Sequence, residues 1–419
     1  MTDRFTAGPQ ALGCPQIPET KMRIVILPLL ALAAASCSSP QAKPGEAGPP
    51  PSLHQRLMTL DTHLDTPVWF SNPNWKFGDR HDWETDLAQV DLGRMDTGAL
   101  DGGVFVIYTA QGPVTTQGFA DAKAFAFKRL GEIQKTIGTY PNRIELVTTA
   151  DQAERADKAG LRFAFISIEN SYPLGEDLSL LKTFYDGGVR MAGPVHSKDN
   201  QFADSATGEG KWKGLSPLGK QWVAEMNRLG MVIDGSHSSD ATFDQLLELS
   251  KAPIILSHSG PKALWGHNRN IDDDRIRRLA AKGGAVCMNS VFLTKMTYTD
   301  ERNRLSALVD KIGTLSPEEQ AKLTAQVRAL DKVAPVQDTD FENFMTNLLY
   351  LLKVAGPDHV CMGADWDGGG GVRGFEDITA LPKVTERLVA AGYSEADIAK
   401  IWSGNVLRIM RAADAARQR

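Results

Sequence analysis

Side chains that can bind a metal ion stand at the ends of apolar segments along this chain. The first such segment, Leu57 to Leu60, runs into His63 and Asp65. In an extended backbone, side chains two residues apart point the same way, so this imidazole and this carboxylate could share one ion. The pair alone is weak evidence, because the same pattern is common where the two side chains only cap or hydrogen-bond a loop.

Later apolar segments end in the same kinds of residue. The segments that begin at Phe163, Val189, Met231, Pro253 and His359 lead to Glu169, His196, His237, His258 and Asp365, respectively. Glu169 follows a buried strand candidate, where a carboxylate needs a partner. His237 and His258 have an alternative interpretation, since each has neighbouring serines and could lie beside a helix cap. The recurrence at successive segment ends nevertheless favours one shared site.

Imidazole nitrogens and carboxylate oxygens without a thiolate form a ligand set that suits zinc. The set comprises His63, Asp65, Glu169, His237 and His258. These are too many for one catalytic zinc that keeps an open position, so the set favours two ions that share a carboxylate, about 3.5–4 Å apart. The stretch from Asp365 to Gly370 nearly fits a calcium-binding loop. An apolar segment rather than an amphipathic helix precedes it, which argues against calcium.

The segments that carry these residues alternate with amphipathic stretches. Eight apolar runs, several of them continuous as in strands buried on both faces, begin near Leu57, Gly103, Phe163, Val189, Met231, Pro253, Gly284 and His359. Helical candidates separate them, and Ser216-Pro217 opens one with a cap and a first-turn proline. This alternation predicts an α/β fold, a (β/α)8 TIM barrel with the metal site at the C-terminal ends of its strands. An open doubly wound sheet is the alternative, although no glycine-rich phosphate loop follows the first run.

Residues 1–37 have the pattern of an export signal. Basic residues precede an apolar run from Ile24 to Ala35 that is too short to span a membrane. Cys37 follows small residues as in a bacterial lipobox, which predicts a lipid-anchored cysteine. Ala34 stands where many lipoboxes have leucine, so ordinary signal cleavage is the alternative. Met22 is the expected true start, because the residues before it show no targeting pattern.

The remainder of the chain divides into a tether and one domain. Residues 38–52 are rich in Pro, Gly, Ala and Ser and predict a flexible tether. Residues 53–419 are expected to form a single barrel domain with a charged helical insertion near 301–334. Cys287 and Cys361 lie in apolar runs and are expected to be buried thiols, with a disulfide bond left open if they are adjacent in an oxidising compartment. The formal net charge of −5 and the lack of a basic block in the sequence argue against a nucleic-acid partner.

Several longer motifs, found in a fixed order, point to a known family. The strongest are Asn227 to Asp234 leading to His237, and Ala252 to Ser259 around His258; the others are Asp61 to Asp65, His267 to Asn270, Gly363 to Gly368 and Ser403 to Asn405. The chain resembles the membrane dipeptidase (renal dipeptidase) family, peptidase family M19, among the amidohydrolase-like metal-dependent hydrolases. The resemblance extends from Leu57 to Met410.

The resemblance implies a zinc-dependent dipeptidase with two Zn2+ ions. It assigns His63 and Asp65 to one zinc and His237 and His258 to the other, with Glu169 bridging both. A hydroxide between the two ions would attack the peptide bond. His196 would contact the substrate carbonyl oxygen, Arg269 would hold the C-terminal carboxylate of the substrate, and Asp365 would shuttle the proton. Without the resemblance, a surface salt bridge is the preferred interpretation of Arg269.

Two departures from the family pattern leave the preferred substrate side chains open. Asn170 follows the bridging glutamate where relatives commonly have glycine. Ser290-Val291-Phe292 stands where the mammalian enzyme carries a pocket tyrosine. Neither departure affects the metal ligands or the proton shuttle.

The predicted protein is an exported, periplasmic dipeptidase whose only membrane contact is a lipid at Cys37. Its substrates would be small dipeptides, with L-Xaa-D-Xaa dipeptides among the candidates. A metal-dependent hydrolase of another amide or lactone, such as an N-acyl amino acid, is the nearest alternative. A non-catalytic binding lipoprotein is disfavoured, because a decayed enzyme should have lost at least one of these residues. The sequence leaves the oligomeric state open, a homodimer included.

Overall fold

The strands of this computed structural model, which describes residues 50–417, pair in parallel in two curled sheets. Their bounds are β1 (Leu60–Leu64), β2 (Gly102–Tyr108), β3 (Ile144–Leu146), β4 (Arg162–Glu169), β5 (Val189–Ala192), β6 (Val232–Ile233), β7 (Ile255–Ser259), β8 (Ala285–Met288) and β9 (Val360–Met362). The first sheet has the order β1-β2-β4-β5-β6, and β3 pairs with the start of β4. The second has the order β7-β8-β9.

Helices connect successive strands. They are α1 (Leu53–Arg56), α2 (Leu92–Gly98), α3 (Thr116–Gly138), α4 (Ala150–Lys158), α5 (Ser179–Asp186), α6 (Pro217–Leu229), α7 (Asp240–Leu249), α8 (Asp273–Ala281), α9 (Asp300–Val309), α10 (Pro317–Val333), α11 (Phe341–Ala355), α12 (Leu381–Ala390), α13 (Glu395–Ala399) and α14 (Asn405–Ala415). Within residues 50–417, no helix combines the length and the apolar character needed to cross a membrane. The predicted signal region, most of the predicted tether and Cys37 lie outside the described residues.

Single parallel bridges join the edges of the two sheets. Asp234, after β6, pairs with Ile255 of β7, and Leu64 of β1 pairs with Trp366, which follows β9. The parallel α/β architecture that the alternating pattern predicted is confirmed by this strand pairing.

Helix ends follow local sequence signals. Ser216 caps α6, Pro217 occupies its first turn, and Gly230 closes it in a left-handed conformation with a φ of 72°. In α10, Ser316 and Glu319 form a reciprocal capping box. The start of α6 was predicted from these residue types.

Two strand predictions need correction. The first apolar run was placed at Leu57 to Leu60, but Leu57 is the C-cap of α1 and the strand runs from Leu60 to Leu64. His63 therefore lies inside β1 rather than beyond it. The strand β3 was not predicted, because its three residues are too few and include the exposed Glu145.

Alternate residues of the strands enter two separate hydrophobic clusters. Val104, Phe165 and Cys361 belong to one cluster, together with side chains of α4 and α14. Their neighbours Phe105 and Ile166 belong to the other, which includes side chains of many of the remaining helices. The strands are therefore buried on both faces, which explains why their sequences are continuously apolar.

Cys287 and Cys361 form a disulfide bond across β8 and β9. They are register partners in the parallel pair, and both are fully buried. The preferred prediction, two buried free thiols, is therefore wrong. The alternative prediction, a disulfide bond between adjacent cysteines, is the one that the structure shows.

The predicted helical insertion corresponds to α9 and α10, and α10 is hydrogen-bonded to the loop that follows β1. Arg328 donates hydrogen bonds to the carbonyls of Trp83, at 2.8 Å, and Asp86, at 2.7 Å. Its guanidinium also lies over the Trp83 ring. Asn72 adds a hydrogen bond to Gln320 at 3.1 Å. These contacts give the insertion a fixed position in the fold.

Candidate metal centre

The ligands predicted from the sequence meet around Glu169, the last residue of β4. Its Oε2 atom lies 3.6 Å from Nε2 of His63, and that nitrogen lies 3.3 Å from Oδ2 of Asp65. Its Oε1 atom lies 2.9 Å from Nε2 of His237 and 3.4 Å from Nε2 of His258. One carboxylate thus presents its two oxygens to two groups of ligands. The first group comes from β1 and its end, and the second from the ends of β6 and β7.

The ligand atoms are close enough together to coordinate ions. Within each of three sets, the atoms lie no more than 4.8 Å apart; the sets are His63-Glu169-His258, Glu169-His196-His237 and His63-Asp65-Asp365. Glu169 and His63 each belong to two sets. The structure therefore brings all the predicted ligands together and places His196 and Asp365 beside them.

Two buried polar atoms that could bind an ion at this centre have no hydrogen-bond partner within residues 50–417; they are Nε2 of His63 and Oδ1 of Asp65. Nδ1 of His237 has none either, but the other nitrogen of that ring is the one that faces Glu169. In addition, Nε2 of His237 lies 2.9 Å from Nε2 of His258, where two neutral rings can share only one proton. Unpartnered buried polar groups are costly, and cations among these atoms would satisfy their lone pairs. The residues present therefore fit a metal centre.

Burial and neighbouring charges set the protonation states of the ligands. Burial holds the pKa values of His237 and His258 well below the ordinary value, so both rings are neutral. Although burial acts the other way, the positive charge of His63, followed by hydrogen bonds from the rings of His237 and His258, holds the pKa of Glu169 well below its ordinary value. Neutral imidazoles and an ionised carboxylate are the forms that bind metal ions.

His63 carries the opposite shift. Burial alone would lower its pKa, but the charges of Glu169 and Asp65 outweigh burial and raise the pKa well above the ordinary value. A cation bound among these carboxylates would compensate the same negative charge and displace the proton.

His196 follows β5 and lies at the edge of the centre. Its Nε2 atom is 3.9 Å from Oε1 of Glu169, and its Nδ1 atom is 2.8 Å from the Ser197 hydroxyl. With that hydroxyl donating to Nδ1, the ring carries its proton on Nε2, on the side that faces Glu169. Burial lowers the pKa of His196, so the ring is neutral and able to donate this proton in a hydrogen bond.

Asp365 lies beyond β9 on the His63 side of the centre. Its Oδ1 atom is 3.9 Å from Nε2 of His63. Burial raises the pKa of Asp365 to about 7, and the charges of Asp65 and Glu169 act in the same direction. A carboxyl group with such a pKa can both accept and release a proton near neutral pH.

Arg269 is buried, with only 5% of its surface exposed, and is not the surface residue that a solvent-exposed salt bridge requires. Within the described part of the chain its Nε has no hydrogen-bond partner, and Nη2 reaches only the carbonyl of His258, at 3.4 Å. Burial lowers its pKa to about 10, and its guanidinium carbon lies 5.5 Å from the centre of the Phe292 ring. A buried cation with free donors is suited to hold a carboxylate through parallel hydrogen bonds.

Left-handed backbone conformations are concentrated near the centre. The φ angles are 66° at His237, 65° at Asp365, 66° at Asp367 and 69° at Asn170. These conformations are costly for residues other than glycine, are tolerated best by Asn and Asp, and cluster at functional sites. Asn170 therefore preserves the backbone that a glycine after Glu169 would also adopt.

Sequence reasoning missed residues that support the ligands. Tyr108 ends β2 as the register partner of Glu169, and its ring packs against His196 with 4.8 Å between ring centres. Burial, followed by the charge of Glu169, raises the pKa of Tyr108 to about 12, so its hydroxyl keeps its proton. Asp61 is fully buried and accepts the backbone N–H of His63 at 2.9 Å. Tyr108 is the last residue of its apolar run, so a search of strand ends that included hydroxyl groups would have found it.

Comparison with known proteins identifies the family. A sequence model described as membrane dipeptidase (peptidase family M19) matches residues 51–419. The chain belongs to the membrane dipeptidase family. This confirms the resemblance inferred from the motifs around His237 and His258, and it makes the chain a metallo-dipeptidase by class.

Two curated relatives of this membrane dipeptidase family member are named dipeptidases. Dipeptidase tcpJ of Claviceps purpurea is 31% identical over 349 residues, which are 81% of this chain and 73% of that protein. Dipeptidase 3 of Mus musculus is 31% identical over 321 residues, 74% of this chain. The alignment spans only 56% of the mouse protein, a little over half of its length.

Solved structures show the same fold. The probable dipeptidase PvdM from Pseudomonas aeruginosa is 27% identical, with a TM-score of 0.74 over 87% of this chain and 97% of that one. A metallopeptidase from Rhodobacter sphaeroides, solved with a phosphinate mimic of the dipeptide L-Ala-D-Ala, has a TM-score of 0.68 over 85% of this chain and 99% of that one. Its identity of 23% supports the fold alone. The family implies a metal cofactor, and the cluster around Glu169 supplies candidate ligands.

Proposed function

We propose that this protein hydrolyses the peptide bond of small dipeptides at a centre of two zinc ions bridged by Glu169. The observation that carries the proposal is the placement of the Glu169 carboxylate, with one oxygen toward His63 and the other toward His237 and His258. His63 and Asp65 would hold one ion, and His237 and His258 the other. Two bound zinc ions would lower the pKa of a water molecule between them and polarise the scissile carbonyl.

Asp365 is proposed as the group that moves the proton. It lies next to His63 at the edge of the ligand cluster, where its carboxylate can reach a water molecule among the ligands. It would accept the proton of the attacking water and deliver it to the leaving amine. His196, with its Nε2–H toward Glu169, would donate a hydrogen bond to the developing oxyanion.

Arg269 is proposed to select substrates with a free C-terminal carboxylate. Its guanidinium is buried near His258 and has donors to spare, so a substrate carboxylate would bind there with its peptide bond close to the centre. A carboxylate held so near the scissile bond favours dipeptides over longer peptides. We include dipeptides with a D-residue at the C-terminal position among the proposed substrates; the Rhodobacter structure was solved with a phosphinate mimic of such a dipeptide, L-Ala-D-Ala.

The remaining parts of the proposal concern architecture and location. We propose that the two sheets close into a (β/α)8 barrel within one domain from residue 53 to 419, since single bridges already join their edges. Export to the periplasm and a lipid anchor at Cys37 rest on the sequence of residues 22–37, and a homodimer is proposed as the oligomeric state. Release of a Cys37→Ser variant from the membrane fraction would support the anchor. Size-exclusion chromatography tests the dimer.

A substrate panel under metal control tests the function. The purified protein would be assayed on L-L dipeptides, L-D dipeptides and N-acyl amino acids, with and without prior chelation. We expect hydrolysis of dipeptides that is lost on chelation and restored by Zn2+. Activity that resists chelation would contradict the metal mechanism. Hydrolysis of N-acyl amino acids alone would reassign the substrate, and zinc binding without turnover would reduce the protein to a binding role.

A further inference from the structure

A serine hydroxyl lies behind two of the proposed metal ligands. Ser257 of β7 is fully buried, and its Oγ atom lies 2.8 Å from Nδ1 of His258 and 3.4 Å from Nδ1 of His63. The same atom lies 2.5 Å from Oδ2 of Asp234, which follows β6. One hydroxyl thus contacts a carboxylate and the rear nitrogens of two imidazoles, one from each half of the centre.

Of the groups around this hydroxyl, only the Asp234 carboxylate accepts hydrogen bonds without being able to donate one. An ionised carboxylate accepts hydrogen bonds and donates none. Asp234 already accepts the backbone N–H groups of Ser236, at 2.9 Å, and Ser257, at 3.0 Å, through Oδ1. Oδ2 is left to accept the Ser257 hydroxyl. Because a hydroxyl has one proton, Ser257 must then act as an acceptor toward the histidines.

This direction fixes the tautomer of His258. With Ser257 accepting, Nδ1 of His258 carries the ring proton and Nε2 carries the lone pair. Nε2 is the nitrogen that lies 3.4 Å from Oε1 of Glu169, inside the ligand cluster. The longer contact to His63 imposes the same preference there, where Nε2 also faces Glu169.

We propose that Asp234 and Ser257 are positioning residues that hold His258, and with it His63, in the tautomer that leaves Nε2 free to bind a metal ion. The inference rests on the proposed metal centre but not on the identity of the substrate. His237 provides the contrast, because its Nδ1 atom has no hydrogen-bond partner within residues 50–417. Residues that orient a ligand in this way commonly alter metal affinity about 10–100-fold when they are replaced.

Nitrogen NMR of the imidazoles in the metal-free full chain reads the tautomer directly. In the wild type we expect His258 to be protonated on Nδ1. In Asp234→Asn, the amide oxygen keeps the two backbone bonds and the amide nitrogen donates to Ser257. The Ser257 proton is then turned toward His258, and we expect the ring proton on Nε2. Ser257→Ala should give a mixture of tautomers.

Ser236→Ala is the matched control for these variants. Ser236 is buried in the same network. Its hydroxyl accepts the backbone N–H of His258 at 3.2 Å and lies 3.5 Å from the Ser257 hydroxyl, to which it can donate, but it contacts no imidazole. Its removal tests the loss of a buried hydroxyl without a change in proton direction. We expect the His258 tautomer and the zinc affinity of this variant to match the wild type.

Zinc affinity, measured by competition with a chromophoric chelator, is the second readout. We expect Asp234→Asn and Ser257→Ala to bind Zn2+ about 10–100-fold more weakly than wild type. A folded Asp234→Asn variant with wild-type affinity and His258 still protonated on Nδ1 would overturn the inference, even if Ser257→Ala failed to fold. Neither readout needs a substrate. Absence of dipeptide hydrolysis in the wild type would therefore count against the proposed function alone.

Discussion

The disulfide bond between Cys287 and Cys361 allows a quantitative test of what holds the strand core together. The two residues are register partners on β8 and β9 and lie 74 positions apart in the sequence. The perturbation is Cys287→Ala with Cys361→Ala, in a background where the other two cysteines, Cys14 and Cys37, are serine. No other thiol can then exchange with the pair or react in the assay.

The expected magnitude follows from the length of the closed loop. For a loop of this length, the chain-entropy relation gives about 4.5 kcal/mol of lost stability at 25 °C. Unfolding carries about 2.1 cal/mol/K of entropy per residue, so for a unit of about 370 residues this loss lowers Tm by about 6 °C. The compact unit that contains the bond runs from Pro51 to Arg419.

Calorimetry of three samples separates the bond from the packing around it. The samples are the oxidised background protein, the same protein unfolded and refolded in reductant, and the double alanine variant. The reduced sample keeps both sulfur atoms, so its difference from the oxidised sample isolates the bond. Reductant should have no effect without prior unfolding, because both cysteines are fully buried. Two reactive thiols in the unfolded, unreduced protein, or a Tm change under about 2 °C, would refute the reasoning.

Three further predictions concern single side chains. Asp365→Asn should keep both metal ions by elemental analysis but lose about 100-fold or more in kcat, and wild-type turnover would remove its role as proton carrier. Arg269→Lys should lower kcat/KM for dipeptides about tenfold or more, because lysine cannot form two parallel hydrogen bonds to the substrate carboxylate. The control, Arg277→Lys on the exposed face of α8, should leave kcat/KM unchanged. The ring nitrogens of His54 form hydrogen bonds with the Thr385 hydroxyl and the Gly98 carbonyl, and burial lowers the pKa of the ring. Its contribution to stability is present above about pH 6.5 and is lost as the pH falls below that value, so His54→Gln should lose less stability than wild type on acidification, as measured by urea unfolding.

The convergence of the candidate ligands could be predicted from the sequence because parallel strands end at a common edge. Once the apolar runs are placed, residues such as Glu169 and His258 at their ends must converge, whatever the details of the loops. Errors of a few residues in strand bounds do little harm to this reasoning. His63 was expected beyond its strand and lies inside it, yet its ring still reaches the cluster.

Contacts between residues on different segments could not be predicted from the order and ends of the strands. The pairing of Cys287 with Cys361 depends on the register between β8 and β9, and a shift of one residue would place the two side chains on opposite faces. The Asp234–Ser257 contact likewise depends on how the segment after β6 meets β7. Periodicity indicates which residues are buried but not which of them face each other.

Backbone conformation explains one of the two departures from the family pattern, and side-chain contacts show what the other affects. Asn170 has a φ of 69°, so it replaces glycine at a position that requires a left-handed backbone. Its amide also donates to the carbonyl of Thr109 at 2.9 Å, a tether that glycine could not supply. Phe292 has a φ of 56° and its ring stacks on His267, with 4.4 Å between ring centres, while Arg269 lies against it. Phe292 therefore packs against the arginine that is proposed to hold the substrate carboxylate. This departure affects the position of Arg269 as well as the shape of the side-chain pocket.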